Sequence, residues 1–514
     1  MSTRHPLRWP KPVVVLLPLL GLAACTAWSQ RPPRPAPEDA PRVTHGVAAG
    51  EVRADGAVIW GRCSADGILW VALDNDTGHT VSAPVSRSGD DTGRVRLSGL
   101  EPDTTYAYRV WCSSDDPGRP LVGPPVRGTF RTAPPAQHGA PVRFIWGGDV
   151  AGQNACRDRD EGYAIFNVIG ALHPDFFIGL GDMIYADNPC AEIGRYGNAQ
   201  IAGPAEPATD LAGFWAYWRY NRADAALQRV LAAVPYYAVW DDHEVMNDFG
   251  PYHDTRSTPP YVPGRHLMPL GLQAFLDYNP YIDDPRTPKR LYRSMRWGRQ
   301  VELFLLDTRQ YRDPNWRVDD PRDPKTMLGL EQRTWLKENL RRSDARWKII
   351  VSSVPISIPT GVAKAHDGWA NVDGQGFQYE LLDILRTLQQ DGINNTLWIT
   401  TDAHFVAAFR YTPFAETPAF HTHEIVTGPL NAGVLPKAEF SPALGAERLF
   451  LYPDPTAAVH SYAEVKAWFN FGMVDIDEDG TLTVNVINAN GATVYRLALP
   501  PAARAGGVDQ SSSD

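Results

Sequence analysis

The sequence predicts a small all-β sandwich followed by a larger α/β domain. A chain of 514 residues exceeds one ordinary hydrophobic core and suffices for two or three domains. Residues 43–134 hold short β-type runs separated by turns, whereas strand-like and helix-like runs alternate from residue 142 onward. Hydrophobic residues make up 43% of the chain, which indicates packed globular structure rather than disorder.

The chain is acidic, with a formal net charge of −10. Negative charge repels the phosphate backbone, so we expect no stable nucleic-acid partner. We expect a monomer. An acidic balance also suits a protein that holds cations.

The N-terminal residues have the pattern of a bacterial secretory leader. A basic segment precedes the apolar run 13–20, which is too short to cross a bilayer, and the small residues Ala23 and Ala24 precede Cys25. This resembles a lipobox, so we predict a signal peptide over 1–24 and a lipid anchor on Cys25. The protein would then be secreted across the inner membrane and tethered in the periplasm or at the cell surface. The alternative is simple cleavage after an Ala, which would leave Cys25 as an ordinary thiol.

Two terminal segments lack periodic patterns. Residues 25–42 are rich in Pro and Arg and predict a tether. Residues 503–514 are polar and predict a disordered tail.

Residues 43–134 predict the β-sandwich. Its strand-like runs are 57–60, 69–73 and 106–110. The stretch 99–106 resembles the fibronectin type III signature, in which Tyr106 forms a tyrosine corner. We expect this domain to be a spacer packed on the α/β domain rather than a ligand-binding module.

Five cysteines are present, and lipidation of Cys25 leaves four, for which three pairings are possible. Neighbourhood in the sequence favours Cys63 with Cys112 and Cys156 with Cys190. Their spacing is not that of a zinc cluster.

From residue 135 the pattern is that of an α/β layer fold. The predicted strands cover 142–146, 176–180, 236–240, 301–306, 347–351 and 396–400. The predicted helices cover 162–172, a long stretch at 211–231, 331–341 and 379–389. Hairpins with Asp-Gly and Asn-Gly turns follow over 467–499.

Four predicted strands end in acidic or imidazole side chains. These are Asp149, Asp182 with Tyr185, the run Asp241-Asp242-His243, and Asp402 with His404. One Asp after a strand is often only a helix N-cap. However, adjacent acids after a buried strand are unfavourable unless they are paired or bound to metal. Because ligands bind beyond the carboxyl ends of such strands, the four strand ends together predict a metal site.

Seven stretches between residues 144 and 428 carry a family resemblance. They are GGDVAGQ, FFIGLGDMIYAD, VWDDHEVMND, FLLDTRQYR, TMLGLEQRTWL, WKIIVSSVPIS and TDAHFVAAF. The set resembles the calcineurin-like metallophosphoesterases and, more narrowly, the PhoD-type alkaline phosphatases. The resemblance implies that 135–502 form the layered αββα metallophosphoesterase sandwich, preceded by the small all-β sandwich.

The resemblance implies two or more metal ions. Their ligands would be Asp149, Asp182, Tyr185, Asp242, Asp402 and His404. The family implies calcium, with iron or another transition metal at one position. This chain has Asp242 where most members of the superfamily have Asn, Ser352-Ser353 in place of a His, and Asp149 where some PhoD enzymes have Cys. The site is therefore rich in oxygen ligands, which hard cations prefer. Cys156 would be a substitute ligand only if it is not in a disulfide.

The resemblance also suggests catalytic roles. Asp182 is the candidate bridging ligand, which helps to activate water for attack on phosphorus. His243 is the candidate acid that protonates the leaving alkoxide, or it orients a ligand. Arg309 would contact phosphate or, alternatively, pair with Asp307 at a strand end.

Two further patterns are weaker. His421 and His423 alternate on a strand and imitate a metal motif of the superfamily, so they are candidates for the edge of the site. Residues 475–480 begin like a calcium loop, but Val486 stands where an EF-hand needs Glu, and we predict a hairpin turn there.

These observations predict a metal-dependent phosphoric ester hydrolase similar to alkaline phosphatase D. Its substrates would be phosphate monoesters outside the cytoplasm, and inorganic phosphate would be released. Two alternatives stay open: phosphodiesterase or phospholipase D-like cleavage of diesters, and a non-catalytic surface binding protein with structural metals.

Overall fold

Two large β-sheets are stacked face to face in a computed structural model, which describes residues 38–74, 80–118, 120–251 and 259–502. The strands are β1 (Val43–Gly50), β2 (Gly56–Cys63), β3 (Gly67–Leu73), β4 (Thr80–Val85), β5 (Thr92–Ser98), β6 (Thr105–Ser113), β7 (Val126–Arg131), β8 (Val142–Gly147), β9 (Phe176–Leu180), β10 (Tyr236–Val239), β11 (Arg293–Trp297), β12 (Val301–Leu305), β13 (Trp347–Val351), β14 (Gly361–Val362), β15 (Ala365–His366), β16 (Thr396–Thr400), β17 (Val406–Tyr411), β18 (Thr422–Val426), β19 (Ala446–Tyr452), β20 (Asn470–Ile476), β21 (Leu482–Asn488) and β22 (Thr493–Leu499). The helices are α1 (Ile165–Ala171), α2 (Leu211–Arg222), α3 (Ala225–Ala233), α4 (Gly264–Tyr278), α5 (Gly329–Arg342), α6 (Gln378–Gln390) and α7 (Tyr462–Val465).

The strand order brings the parallel strands of both sheets to the centre. One sheet has the order β22-β21-β20-β8-β9-β10-β1-β2-β5, and the other has β11-β12-β13-β16-β18-β17-β19. Strands β8, β9 and β10 are parallel, as are β12, β13, β16 and β18. The Thr401 hydroxyl after β16 donates to the carbonyl of Leu180 at the end of β9, at 2.7 Å. The carboxyl ends of both parallel sets therefore meet at one edge of the stack.

Side-chain alternation along the strands builds three apolar layers. On β8, Phe144 and Trp146 face the second sheet, whereas Ile145 faces outward against α1 to α4. On β16, Ile399 faces inward and Trp398 faces outward against α5 and α6. Burial of one such side chain contributes about 2–3 kcal/mol. The layers run helix, sheet, sheet, helix, which confirms the predicted αββα sandwich.

The prediction of one long helix over 211–231 is wrong, because the chain forms two helices there. Helix α2 begins after Asp210, whose side chain accepts from the Gly213 N–H at 2.7 Å. Helix α3 begins after Asp224, whose side chain caps it by accepting from the Leu227 N–H at 2.8 Å. A side-chain oxygen that satisfies free N–H groups starts a new helix even inside a continuous apolar pattern.

The N-terminal β-region shares a sheet with the α/β part. Strands β1, β2 and β5 extend the nine-stranded sheet, while β4, β3, β6 and β7 form a separate sheet. The junction is a parallel pairing of Gly50 with Tyr236. A Cβ on Gly50 would lie 2.3 Å from the Pro280 side chain and 2.4 Å from the Tyr236 carbonyl, so only Gly fits there. The Tyr106 hydroxyl accepts from the Glu101 N–H at 2.8 Å, which is the predicted tyrosine corner.

Several predictions fall outside the described residues. The signal peptide (1–24), Cys25 with most of the tether, and the tail (503–514) are among them. Within the described part of the chain, no helix combines the length and apolarity that crossing a bilayer demands.

Candidate metal centre

The loops that follow β8, β9, β10 and β16 bring acidic side chains and two histidines together at one edge of the sheets. Ligand atoms within 4.8 Å of one another form four overlapping groups: Asp149, Asp182 and His404; Asp182, Asp242 and His243; Asp182, Asp241, Asp242 and Asp402; and Asp242, Asp248 and Asp367. Asp182 belongs to three of the four groups. All six predicted ligands converge here, since Tyr185 contacts His404.

Backbone strain marks the same loops. Asp149, Asp182, Asp402 and His404 have φ angles of 64°, 53°, 69° and 62°. Residues other than glycine rarely adopt these left-handed conformations, which cost about 1–3 kcal/mol each where they persist. Such strain clusters at functional sites, because the surrounding structure must enforce it to aim side chains.

Two glycines lie where the backbone passes so close to the predicted ligands that a side chain would not fit. A Cβ on Gly428 would lie 2.2 Å from the Asp149 Oδ2 atom. A Cβ on Gly152 would lie 2.5 Å from the Tyr185 ring. Side chains at these two positions would displace predicted ligands.

Glu244 organises the loops after β9 and β10. It is fully buried. Its Oε2 accepts from the N–H groups of Asp182 (3.0 Å) and Asp241 (2.8 Å), and its Oε1 accepts from Met183 N–H (2.8 Å). Three backbone donors on one carboxylate fix two strand-end loops relative to each other.

Tyr185 and His404 form one wall of the site. The Tyr185 hydroxyl lies 2.8 Å from His404 Nε2, and His404 Nδ1 lies 2.5 Å from the Gly433 carbonyl oxygen. His404 Nε2 is also 3.5 Å from Asp149 Oδ1. Burial lowers the pKa of His404 to about 4, which keeps the ring neutral and able to act as a ligand.

The second imidazole of the site, that of His243, is held by Asp187. His243 Nδ1 lies 2.6 Å from Asp187 Oδ1, and Asp187 Oδ2 accepts from the Asn247 N–H at 2.8 Å. The His243 ring also lies against Tyr185, with 4.1 Å between ring centroids. Burial lowers the pKa of His243, but the carboxylates of Asp187 and Asp242 outweigh it and raise the pKa to about 9.

Arg309 is fully buried and pairs with three carboxylates. Its Nε is 2.5 Å from Asp241 Oδ1, its Nη1 is 2.9 Å from Asp367 Oδ2, and its Nη2 is 3.3 Å from Asp242 Oδ1. The alternative that Arg309 and Asp307 pair as side chains is wrong, because Arg309 donates only its backbone N–H to Asp307. The guanidinium instead balances charge within the acidic cluster, and this geometry gives no support to a direct phosphate contact.

Other candidates lie elsewhere or have other partners. Cys156 is bonded to Cys190, and Cys63 is bonded to Cys112, so the structure contains both favoured pairings and Cys156 is no metal ligand. His423 pairs in register with Leu397, near the amino end of the parallel strands and away from the acidic cluster. His421 lies just before the same strand, so neither histidine reaches the edge of the site.

Crowding of buried acids dominates the electrostatics. Burial, followed by repulsion from Asp241, raises the pKa of Asp149 well above its ordinary value. Burial and repulsion from Asp242 do the same for the pKa of Asp182, and burial and repulsion from Asp367 do so for that of Asp402. Without additional positive charge, this arrangement disfavours the ionised carboxylates.

Unpaired carboxylate oxygens show that the cluster suits cations. Five buried oxygens accept no hydrogen bond from the described residues: Asp149 Oδ2, Asp182 Oδ2, Asp241 Oδ2, Asp402 Oδ2 and Asp242 Oδ1, the last of which lies 3.3 Å from Arg309 Nη2. An unpaired buried charge costs several kcal/mol, whereas metal coordination satisfies it. The donor set therefore fits metal ions, and its abundance of oxygen fits hard cations.

Sequence reasoning misses the residues that support the ligands. Glu244 and Asp187 act through hydrogen bonds to loops and to an imidazole, and Asp248 and Asp367 complete the acidic cluster. Asp367 lies between β15 and α6, outside any strand-end motif, so no sequence spacing points to it. Glu244 lies inside the stretch VWDDHEVMND, but only the fold reveals its three backbone partners.

Comparisons with known proteins relate the chain to alkaline phosphatases. The chain is 26% identical over 391 residues to alkaline phosphatase D of Bacillus subtilis (strain 168), a match that covers 70% of this chain and 64% of that protein. The chain thus spans slightly less than two thirds of that relative's length. A solved structure described as the structure of PhoD matches with a TM-score of 0.66 at 19% identity, covering 88% of this chain and 92% of the other. At that identity the likeness shows the fold.

Family models cover both parts of the molecule. The model of the PhoD-like phosphatase N-terminal domain matches residues 27–134, and the PhoD-like phosphatase model matches residues 144–485. The second range contains every strand-end loop of the acidic cluster. The chain belongs to the PhoD-like phosphatase family.

Proposed function

We propose that this protein is a metal-dependent phosphoesterase that hydrolyses phosphate monoesters outside the cytoplasm. The observation that carries the proposal is the buried cluster of carboxylates with unpaired oxygens, placed beside an oriented imidazole. Family membership and the similarity to alkaline phosphatase D support phosphate esters as the substrate class.

Two of the four overlapping ligand groups, both of which contain Asp182, are the proposed metal sites. One set contains Asp149, Asp182 and His404, and the Tyr185 hydroxyl forms a hydrogen bond with His404. The other is all oxygen: Asp182, Asp241, Asp242 and Asp402. Nitrogen and phenol donors favour iron or another transition metal in the first set, and carboxylates favour calcium in the second. When bound, such ions activate water and neutralise charge on a phosphoryl group.

His243 is the proposed general acid. Asp187 holds its Nδ1, which leaves Nε2 as the nitrogen available to a leaving group. The carboxylates of Asp187 and Asp242 raise the pKa of His243 to about 9, which favours the protonated imidazole. A protonated His243 gives its proton to the leaving alkoxide oxygen as the bond to phosphorus breaks.

Hydrolysis of p-nitrophenyl phosphate beside bis-p-nitrophenyl phosphate tests this function. The protein is stripped with a chelator and then given calcium, iron, manganese or zinc, singly and in pairs. We expect metal-restored turnover of the monoester to exceed that of the diester. Preference for the diester would make the enzyme a phosphodiesterase, and no turnover by folded, metal-loaded protein would contradict enzymatic function.

We further propose secretion and a lipid anchor on Cys25. The basic and apolar leader supports this, and two disulfides among the described residues fit an oxidising compartment. The substitution Cys25→Ala should move the protein from the membrane fraction to the soluble fraction. Unchanged membrane association would contradict the anchor.

A further inference from the structure

The separate sheet of the N-terminal region (β4-β3-β6-β7) carries a groove on its outer face. Alternate residues of β3 and β6, such as Leu69 and Val110, point into the core, while Trp70 and Trp111 lie on the opposite face and are partly exposed. The groove has a volume of about 450 Å³ and is lined by both tryptophans. It lies outside the acidic cluster and is not used by the proposed chemistry.

The two tryptophans are paired and form the aromatic floor of the groove. Trp70 and Trp111 are direct cross-strand neighbours, and their rings are nearly parallel, at 9° with centroids 6.3 Å apart. The Trp70 indole N–H donates to the Ser113 hydroxyl at 2.9 Å, which fixes that ring. A rigid pair loses little conformational entropy when a ligand packs on it.

The rim of the groove is apolar and acidic. Pro117, Pro120 and Val122 are among the lining residues, and Val122 is 45% exposed. Asp115 and Asp116 also line the groove, and both are exposed. An aromatic floor beside two carboxylates suits a ligand with apolar rings and positive charges.

We propose that this groove binds a basic, proline-rich segment of a partner polypeptide in the polyproline II conformation. Such segments pack their rings against aromatic-lined grooves and bind with a low entropy cost because the helix is already formed. The carboxylates of Asp115 and Asp116 attract Arg or Lys side chains that flank the prolines.

Two alternatives, a purely structural role and a neutral glycan ligand, each explain only some features of the groove. A cross-strand aromatic pair stabilises a sheet, but sheet stability requires neither an open groove nor an acidic rim. A neutral glycan would stack on the tryptophans without using the two carboxylates. A basic proline-rich segment uses both the aromatic floor and the acidic rim.

The test is a fluorescence anisotropy titration of the full-length protein. The probe is a labelled peptide, Arg-Pro-Pro-Arg-Pro-Ala-Pro, a sequence of the required chemistry that also occurs at residues 31–37. We expect saturable binding that Trp70→Ala and Trp111→Ala each weaken by about tenfold or more. Asp115→Asn together with Asp116→Asn should weaken binding and remove most of its salt dependence.

Controls separate the groove from general effects. Trp316, which is 67% exposed and lies outside the groove, supplies the matched control, so Trp316→Ala should bind the peptide normally. A cooperative thermal unfolding transition with a Tm near that of the wild type shows that each variant is folded. No saturable binding, or equal binding by the Trp70→Ala variant, would overturn the proposal. Binding of neutral oligosaccharides that depends on the same tryptophans, without peptide binding, would also overturn it.

Discussion

Two buried groups of acids in this molecule differ in how their charge is balanced. At the junction of the N-terminal region, Asp90 accepts hydrogen bonds from Arg62, Arg219 and Tyr278. Burial raises the pKa of Asp90, but these partners outweigh it and leave the pKa below its ordinary value. At the strand ends, Asp149 keeps an unpaired oxygen and its pKa is well above the ordinary value.

The contrast separates a structural acid from a functional one. Asp90 is neutralised by arginines of the same chain, so it needs no outside ion. The strand-end cluster has Arg309 and His243 against many more carboxylates. Its missing positive charge is what metal ions supply.

The largest expected effect is the loss of activity on Asp182→Ala. Asp182 belongs to three of the four ligand groups, so its removal should lower kcat/KM by about 10³-fold or more. Steady-state kinetics on p-nitrophenyl phosphate measure the change.

Asp90→Ala is the control for that variant. It should cost about 2 kcal/mol of stability through the lost hydrogen bonds to a charged group, while the activity per folded molecule stays near that of the wild type. Near wild-type turnover of the Asp182→Ala variant would contradict the distinction between the two acids.

The two disulfides offer a second contrast. Removal of either bridge by Cys→Ser pairs should cost about 4 kcal/mol, because the sequence separations of 34 and 49 residues give similar closure entropies. Only the loss of Cys156–Cys190 should also reduce activity, because that bridge ties the loop after β8 to the loop after β9. Denaturant unfolding and kinetics on both variants test this, and equal effects on activity would contradict it.

The third expected effect is a pH-dependent instability of the metal-free protein. Burial raises the pKa of Glu244 from 4.5 to about 7 and that of Asp248 from 3.8 to about 8. Because these folded-state values exceed the unfolded ones, the stabilising contribution is present at low pH and is lost as pH rises from about 4 to 8. We expect the metal-free protein to become progressively less stable across this range. The difference in Tm between the metal-loaded and the metal-free protein should widen as pH rises. A difference in Tm that stays constant with pH would contradict the account.

The smallest expected effect is that of Asp187→Asn. This change weakens the orientation of His243 and lowers its pKa, so hydrolysis of alkyl phosphates should fall about tenfold. Aryl phosphates, whose leaving groups need less protonation, should be affected less. Equal losses on both substrates would remove His243 as the general acid.

The ligands can be predicted from the sequence because their signals are local. Each ligand follows a recognisable apolar strand, so Asp149, Asp182, Asp242 and Asp402 are predictable one strand at a time. The strand over 347–351, whose apolar pattern is strong, has the predicted bounds.

Long-range contacts and interrupted patterns are not predictable in this way. Helix α4 contains Pro269, which argues against a helix in sequence terms, yet tertiary packing maintains it. Arg309 finds its partners in separate loops, whereas sequence reasoning offers only a phosphate group or the neighbouring Asp307 as its partner. The shared sheet at Gly50 is equally invisible in the sequence, because a single backbone pairing creates it.

Metal stoichiometry tests the central claim most directly. Wild-type protein, stripped and then dialysed against calcium and iron, should retain two or more ions per chain by elemental analysis. Asp90→Asn should retain the same number, and Asp182→Asn should lose at least one. A wild-type protein that retains no metal, or an Asp182→Asn variant with the full complement, would contradict the account.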